Sequence, residues 1–220
     1  MPQSNTPSDG AAQPDVEAES RHTPAESSDS GSGASPPSDV VPEAKPGGGA
    51  NSQHPHMFHL AASSPNVFDG GTLQGAIEDN WKILSNQQAS VYLARLEPGG
   101  VREPHWHPSA WELNYVISGN VRWSFVGPEA THDTFEAETG DLVFAPQGHF
   151  HYFENASPTE DLIVLIIFNS GAGEPDDDVG IVAALSAVPP EVLGAMFKTS
   201  PDAFRNLPHK LERVTITRKP

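Results

Sequence analysis

The chain contains no cysteine, so a disulfide framework, a thiol nucleophile and a thiolate metal site are all excluded. Basic residues are scarce: 12 Lys and Arg stand against 29 Asp and Glu, a formal net charge of −17. Such a field repels phosphate backbones and anionic membranes, so neither nucleic-acid binding nor membrane attachment is expected. It would repel a dianionic substrate as well, unless a cation inside the binding pocket offsets it. Long apolar runs are missing too. The longest, LIVLIIF at 162–168, is far too short to span a bilayer. The opening MPQSNTPSDG has neither the basic segment nor the apolar segment of a secretory signal. These absences predict a soluble, cytoplasmic protein whose charge serves solubility.

Large apolar side chains are almost absent from residues 1–55, a Pro, Ser, Gly, Asp and Glu mixture that cannot bury enough surface to offset its ordering entropy. A disordered acidic tail is expected there, followed by one domain over 56–220. His54, His56 and His59 in HPHMFH are read as a solvated arm leading into the first strand.

What is present is a set of short apolar segments separated by Gly and Pro turns. Residues 89–97, 121–127, 142–146 and 161–168 read as strands, the last covered on both faces, whereas 72–87 are too mixed to assign. Residues 128–139 read as a polar connection carrying an exposed His132. Helices are expected over 178–187 and over PEVLGAMF, the latter with Pro189 at its first turn, with a short third over 201–206. The closing ERVTITRKP reads as an edge strand or arm. Many short strands of this kind fit an all-β double-sheet jelly roll.

Two stretches carry the chemistry, GGVREPHWHPSAWELNYVISG at 99–119 and GDLVFAPQGHFHYFEN at 140–155. Side chains alternate along a strand, so His105 and His107 face the same way and can share one ion. Pro108 and Ser109 break that strand. In the run that follows, Glu112, Asn114 and Val116 share one face, which lets Glu112 turn back over the histidine pair. His151, beyond the turn at Pro146–Gly148, can supply a third nitrogen. Three imidazoles and a carboxylate leave about two positions open on a six-coordinate Mn or Fe, and none on a tetrahedral Zn.

Gly99, His105, His107, Glu112 and Gly119 match the first signature of the cupin superfamily, and Gly140, Pro146, Gly148, His151 and Asn155 match the second. The chain therefore resembles a cupin, a double-stranded β-helix or jelly-roll barrel, here with C-terminal helices and a disordered N-terminal tail. The run from His56 to Phe68, the Leu96–Gly99 turn, REPHWHP, IFNSG and the helix at PPEVL resemble the oxalate decarboxylase branch over roughly 56–200. Members of that branch usually carry two such domains. This chain has one set of motifs, and a homodimer or larger homo-oligomer is expected to replace the missing half.

The resemblance implies that His105, His107, Glu112 and His151 bind Mn2+, with Fe2+ as the alternative, and that Arg102 holds the carboxylate of a small substrate. A guanidinium stays charged and forks onto carboxylates, which suits an acidic protein. The competing reading of Arg102 is an ion pair with Glu103 or another acid at the rim. The implied reaction is redox-assisted decarboxylation of oxalate to formate and carbon dioxide, with dioxygen as co-catalyst and a nearby acid giving the last proton. Without that proton the outcome is that of an oxalate oxidase.

The pattern departs from the branch at the acid. The branch keeps a glutamate in a Ser-Glu-Asn-Ser lid, whereas this chain reads NSGAGEPDDDVG and puts Pro175 nearest that position. Glu174 is the first choice among Glu174, Asp176, Asp177 and Asp178, with Gly171 and Gly173 as hinges. The competing reading is an exposed acidic turn that caps the following helix. His149 is expected at the rim, Asn114, Phe153 and Phe144 in the pocket wall, and Trp106 in the core away from the ion. A different small acid, a dioxygenase or isomerase on the same ligands, and a non-catalytic anion-binding cupin remain as alternatives.

Overall fold

Gly and Pro punctuation cuts the chain into segments short enough to be single strands, and the period-two burial within them sets which face turns inward. The structure, a computed structural model, describes residues 47–127, 131–171, 178–207 and 216–220. In chain order its strands are β1 (Gly49–Ala50), β2 (Phe58–His59), β3 (Asn66–Phe68), β4 (Gly71–Ala76), β5 (Ser90–Leu96), β6 (Gly100–Trp106) and β7 (Glu112–Ser118). There follow β8 (Asn120–Val126), β9 (His132–Glu138), β10 (Leu142–Ala145), β11 (Phe150–Asn155), β12 (Leu162–Phe168), β13 (Val179–Gly180) and β14 (Ile216–Arg218). Among the described residues two α-helices, α1 (Ile181–Ser186) and α2 (Pro190–Phe197), and the expected short third helix, a 3-10 turn at Pro201–Phe204, lie between the last two strands.

Two antiparallel sheets make the barrel. One runs β10-β7-β12-β5-β4-β3; the other runs β13-β6-β11-β8-β9, with β14 added to β6. The all-β jelly-roll expectation is borne out. Their inner faces meet in one apolar core that includes Leu96, Val116, Val121, Trp123, Phe153, Leu162 and Ile166. Register shows how the interior is layered. Val116 pairs with Val164 and Leu162 with Leu96 toward one end, while Glu112 pairs with Phe168 and His105 with His151 at the other. An apolar plug therefore closes the barrel beneath a polar end.

Several expectations need correction. Residues 132–138 form β9 rather than a polar connection, because Phe135 and Ala137 alternate inward beneath a polar outer face. The outward residues of β12 are half-buried, so that strand is sealed on one face and only partly covered on the other. The expected helix over 178–187 begins three residues later, at Ile181, after the short strand β13. Phe144 is 51% exposed and packs on Trp111 outside the barrel, whereas its smaller neighbours Val143 and Ala145 face inward. The HPHMFH segment is part of a hairpin: β1 pairs with β2, and the Asn51 side chain accepts from the amides of Gln53 and His54. Gly49 and Ala50, which composition assigns to the tail, thus enter this small sheet. The PEVLGAMF helix stands as expected except at its start, where Pro189 is the N-cap and Pro190 opens the first turn; Lys198 is in a left-handed conformation at its end.

Gly119 turns the chain between β7 and β8 at φ +89°, and a Cβ there would lie 2.8 Å from the Asp161 carbonyl oxygen. Only glycine meets both demands. Gly119→Ala is expected to destabilise the fold by about 1–3 kcal/mol in urea unfolding. An unchanged midpoint would contradict this account of the turn.

Candidate metal centre

The pleat of β6 and the residue after it turn His105 and His107 inward, β7 begins with Glu112, and β11 brings His151 opposite His105. The Gly148 amide donates to the His107 carbonyl oxygen at 2.9 Å, tying the turn before β11 to the end of the histidine pair. Gly148 has φ +74°, the left-handed conformation that this turn requires. All four side chains are buried, and one ligand atom from each lies within 4.8 Å of the others.

Hydrogen bonds fix how the imidazoles are presented. His105 Nδ1 meets the Glu103 carbonyl oxygen at 2.7 Å, and His151 Nδ1 meets that of His149 at 2.8 Å. A carbonyl oxygen only accepts, so each Nδ1 carries the proton and each Nε2 keeps a lone pair for the centre. Glu112 Oε2 lies 3.1 Å from Nε2 of both His107 and His151, and 3.9 Å from that of His105. His105 Nε2 and Glu112 Oε1 are buried and have no hydrogen-bond partner among the described residues.

These contacts fit an ion. Two ligand atoms each about 2.1 Å from a first-row metal and at right angles lie roughly 3.0 Å apart, close to the spacing around Glu112 Oε2. Lone pairs that face one another, together with orphaned buried acceptors, are unfavourable unless a cation sits among them. The donor set is three nitrogens and one oxygen with no sulfur, which suits Mn or Fe.

Electrostatics agree. Burial, then the Arg102 charge and the other two histidines, hold His105 well below its ordinary value of 6.5, so it is neutral and ready to ligate. Burial pushes Glu112 upward, but His151 and His107 outweigh it and hold the carboxylate well below 4.5.

The remaining site residues fall in different places. Arg102 is 1% exposed and lies opposite Phe153, one layer beneath His105. Its guanidinium pairs with Asp178, and Glu103 lies 4.0 Å away. Of the two readings of Arg102, an ion pair is therefore part of the answer. Asp178 is not an exposed helix cap: its side chain is fully buried, and the residue capping α1 is Gly180. Glu174, Asp176 and Asp177 lie outside the described residues. The His149 side chain is exposed, and its contribution to the centre is the carbonyl that orients His151. Asn114 is buried with neither amide atom bonded among the described residues, and Phe153 is buried beside Trp123. Trp106 points away from the ligands and packs on Phe150. Asn155 is structural: its amide donates to the carbonyls of Leu96 and Glu160 and accepts from Ser157, fastening the end of β11 to β5. Among the described residues no helix is long and apolar enough to cross a membrane.

The cupin family model matches residues 58–204. A probable oxalate decarboxylase of Arthroderma benhamiae is 33% identical over 143 residues, which cover 64% of this chain and 34% of that protein. Germin-like protein subfamily 2 member 2 of Arabidopsis thaliana is 32% identical over 150 residues, covering 64% of this chain and 66% of that protein. A solved structure of Bacillus subtilis oxalate decarboxylase, determined in work on its Mn(II) centres, superposes with a TM-score of 0.65 at 28% identity. It covers 74% of this chain and 41% of its own. The chain thus spans about a third of the length of the oxalate decarboxylases it matches in sequence.

Acidification should expose the ligand cluster in the metal-free protein. His105 contributes no slope above about pH 6.5; below it the unfolded chain takes up a proton that folded His105 refuses, and stability falls. Below about pH 4.5 Glu112 adds a second loss, because the unfolded carboxylate is protonated before the folded one. Chemical denaturation across this range is expected to show the lower step shrink in Glu112→Gln; an unaltered profile would contradict the assignment.

Proposed function

The chain belongs to the cupin family, and from that premise we propose a manganese-dependent enzyme acting on a small carboxylate, with oxalate converted to formate and carbon dioxide. The observation that carries this reading is the convergence of His105, His107, Glu112 and His151 with a buried guanidinium, Arg102, beside them. The similarity to oxalate decarboxylases in sequence and in fold supports the choice of substrate.

Manganese held by the four side chains, with Fe2+ as the alternative, supplies Lewis acidity and a one-electron relay, with dioxygen as co-catalyst. The chain does the rest. Glu112 and the three neutral imidazoles hold the ion, and the carbonyls of Glu103 and His149 keep two imidazoles in the ligating tautomer. Arg102 binds the substrate carboxylate through paired N–H donors, which orients the C–C bond to be broken. The apolar floor formed by Phe153, Val116 and Trp123 keeps bulk water from below. When carbon dioxide leaves, the remaining carbon needs a proton, and Glu174 is assigned as its donor as the first choice among the acids flanking Pro175.

We also propose that copies pair through the outer face of the β10-β7 edge. There Leu142 is 65% and Phe144 51% exposed, beside Tyr115 and Ile117 at 40% each.

Incubating manganese-loaded protein with oxalate in air is expected to give formate and carbon dioxide in equal amounts. Hydrogen peroxide without formate would instead assign an oxidase, and neither output would remove oxalate. His107→Ala should lose manganese and turnover together. Arg102→Ala should keep the metal, seen by elemental analysis, and lose substrate affinity; retained affinity would refute the clamp.

A further inference from the structure

Arg102 is already occupied. Its guanidinium donates to Asp178 Oδ2, and both side chains are sealed from solvent, at 2% and 0% exposure. Glu103 stands 4.0 Å from the same guanidinium and is itself buried, so one positive charge faces two carboxylates. The Nη2 that would meet an incoming carboxylate already donates to Asp178, so a ligand that forks onto Arg102 must take the place of that contact.

The two resident acids are not held alike. Glu103 lies within β6, between two strand partners, and its side chain packs against β13 so closely that a Cβ at Gly180 would collide with its carboxylate. Asp178 lies just before β13, outside any strand. Its Oδ1 is buried and has no hydrogen-bond partner among the described residues, so Arg102 is the contact that compensates its burial. A carboxylate fixed by one contact, with its other oxygen unsatisfied, is the one that can leave.

We propose that Asp178 is a specificity-determining residue that occupies the Arg102 guanidinium in the unliganded protein, and that a substrate carboxylate binds by exchanging with it. The inference rests on Arg102 as the carboxylate clamp and adds what the clamp holds beforehand. Exchange swaps one carboxylate for another at Arg102. It therefore favours ligands that also reach the metal, such as oxalate, over simple monocarboxylates such as acetate, which gain too little elsewhere to offset the loss of Asp178.

The test is calorimetric titration of oxalate and of acetate into the full chain, manganese-loaded and free of dioxygen. Asp178→Asn is expected to bind both anions about tenfold or more tightly than wild type, with the larger gain for acetate. The gain should vanish in the Arg102→Ala background, as a double-mutant cycle reads it. Equal or weaker binding by Asp178→Asn, or a gain that persists without Arg102, overturns the proposal. If Arg102→Ala alone binds oxalate as wild type does, it is the clamp that fails. Wild-type protein gives a reading that needs no variant. Oxalate should speed amide exchange at Val179 and Gly180, next to the displaced Asp178, and slowed or unchanged exchange there contradicts displacement.

Discussion

A carboxylate oxygen that sits 3.1 Å from two imidazole nitrogens, deep in a barrel and away from water, is tolerable only if positive charge is shared among them. Glu112 Oε2 is that oxygen. With Nδ1 of His105 and His151 committed to backbone carbonyls, their lone pairs meet the carboxylate rather than a proton. The protein has built a hole for a cation, and much of the architecture exists to hold those four groups still. The strand pleat selects the face, the Gly148 amide ties the two motif segments together, and the apolar layers below leave the polar end of the barrel as the place for chemistry.

The same end of the barrel contains an opposing arrangement. Arg102 is buried close enough to the centre for its charge to act on His105, and on the proposed function it is the local cation that receives an anionic ligand. Yet that arginine is paired before any ligand arrives, which prevents a lone buried charge and the destabilisation that would accompany it. On the proposed exchange, stability of the unliganded protein and affinity for substrate compete for one guanidinium. Competition of this kind sharpens selectivity, because only a ligand with a second anchor repays the exchange.

What could be read from the sequence follows from which physics is local. His105 and His107 share a face because alternation is a property of any strand, and Glu112, Asn114 and Val116 are buried for the same reason. Turn glycines were legible because few residues adopt positive φ. The phase of β10 was not: the large Phe144 suggested an interior position, but the inward side of that strand carries Val143 and Ala145. Polar composition concealed β9, whose inward residues are only Phe135 and Ala137 among seven. The Arg102–Asp178 pair joins positions 76 residues apart, and no spacing rule connects them. Sequence could offer an acid at the rim as a partner for Arg102, without saying which acid or that it would be buried.

The ion is what the polar end of this barrel is arranged around. A crystal structure of the full chain grown with manganese, with anomalous data collected at the manganese edge, tests it most directly. The predicted result is a single anomalous peak about 2.1 Å from Nε2 of His105, His107 and His151 and from a Glu112 carboxylate oxygen. A peak held by other residues, or no peak with the four side chains turned apart, would contradict it.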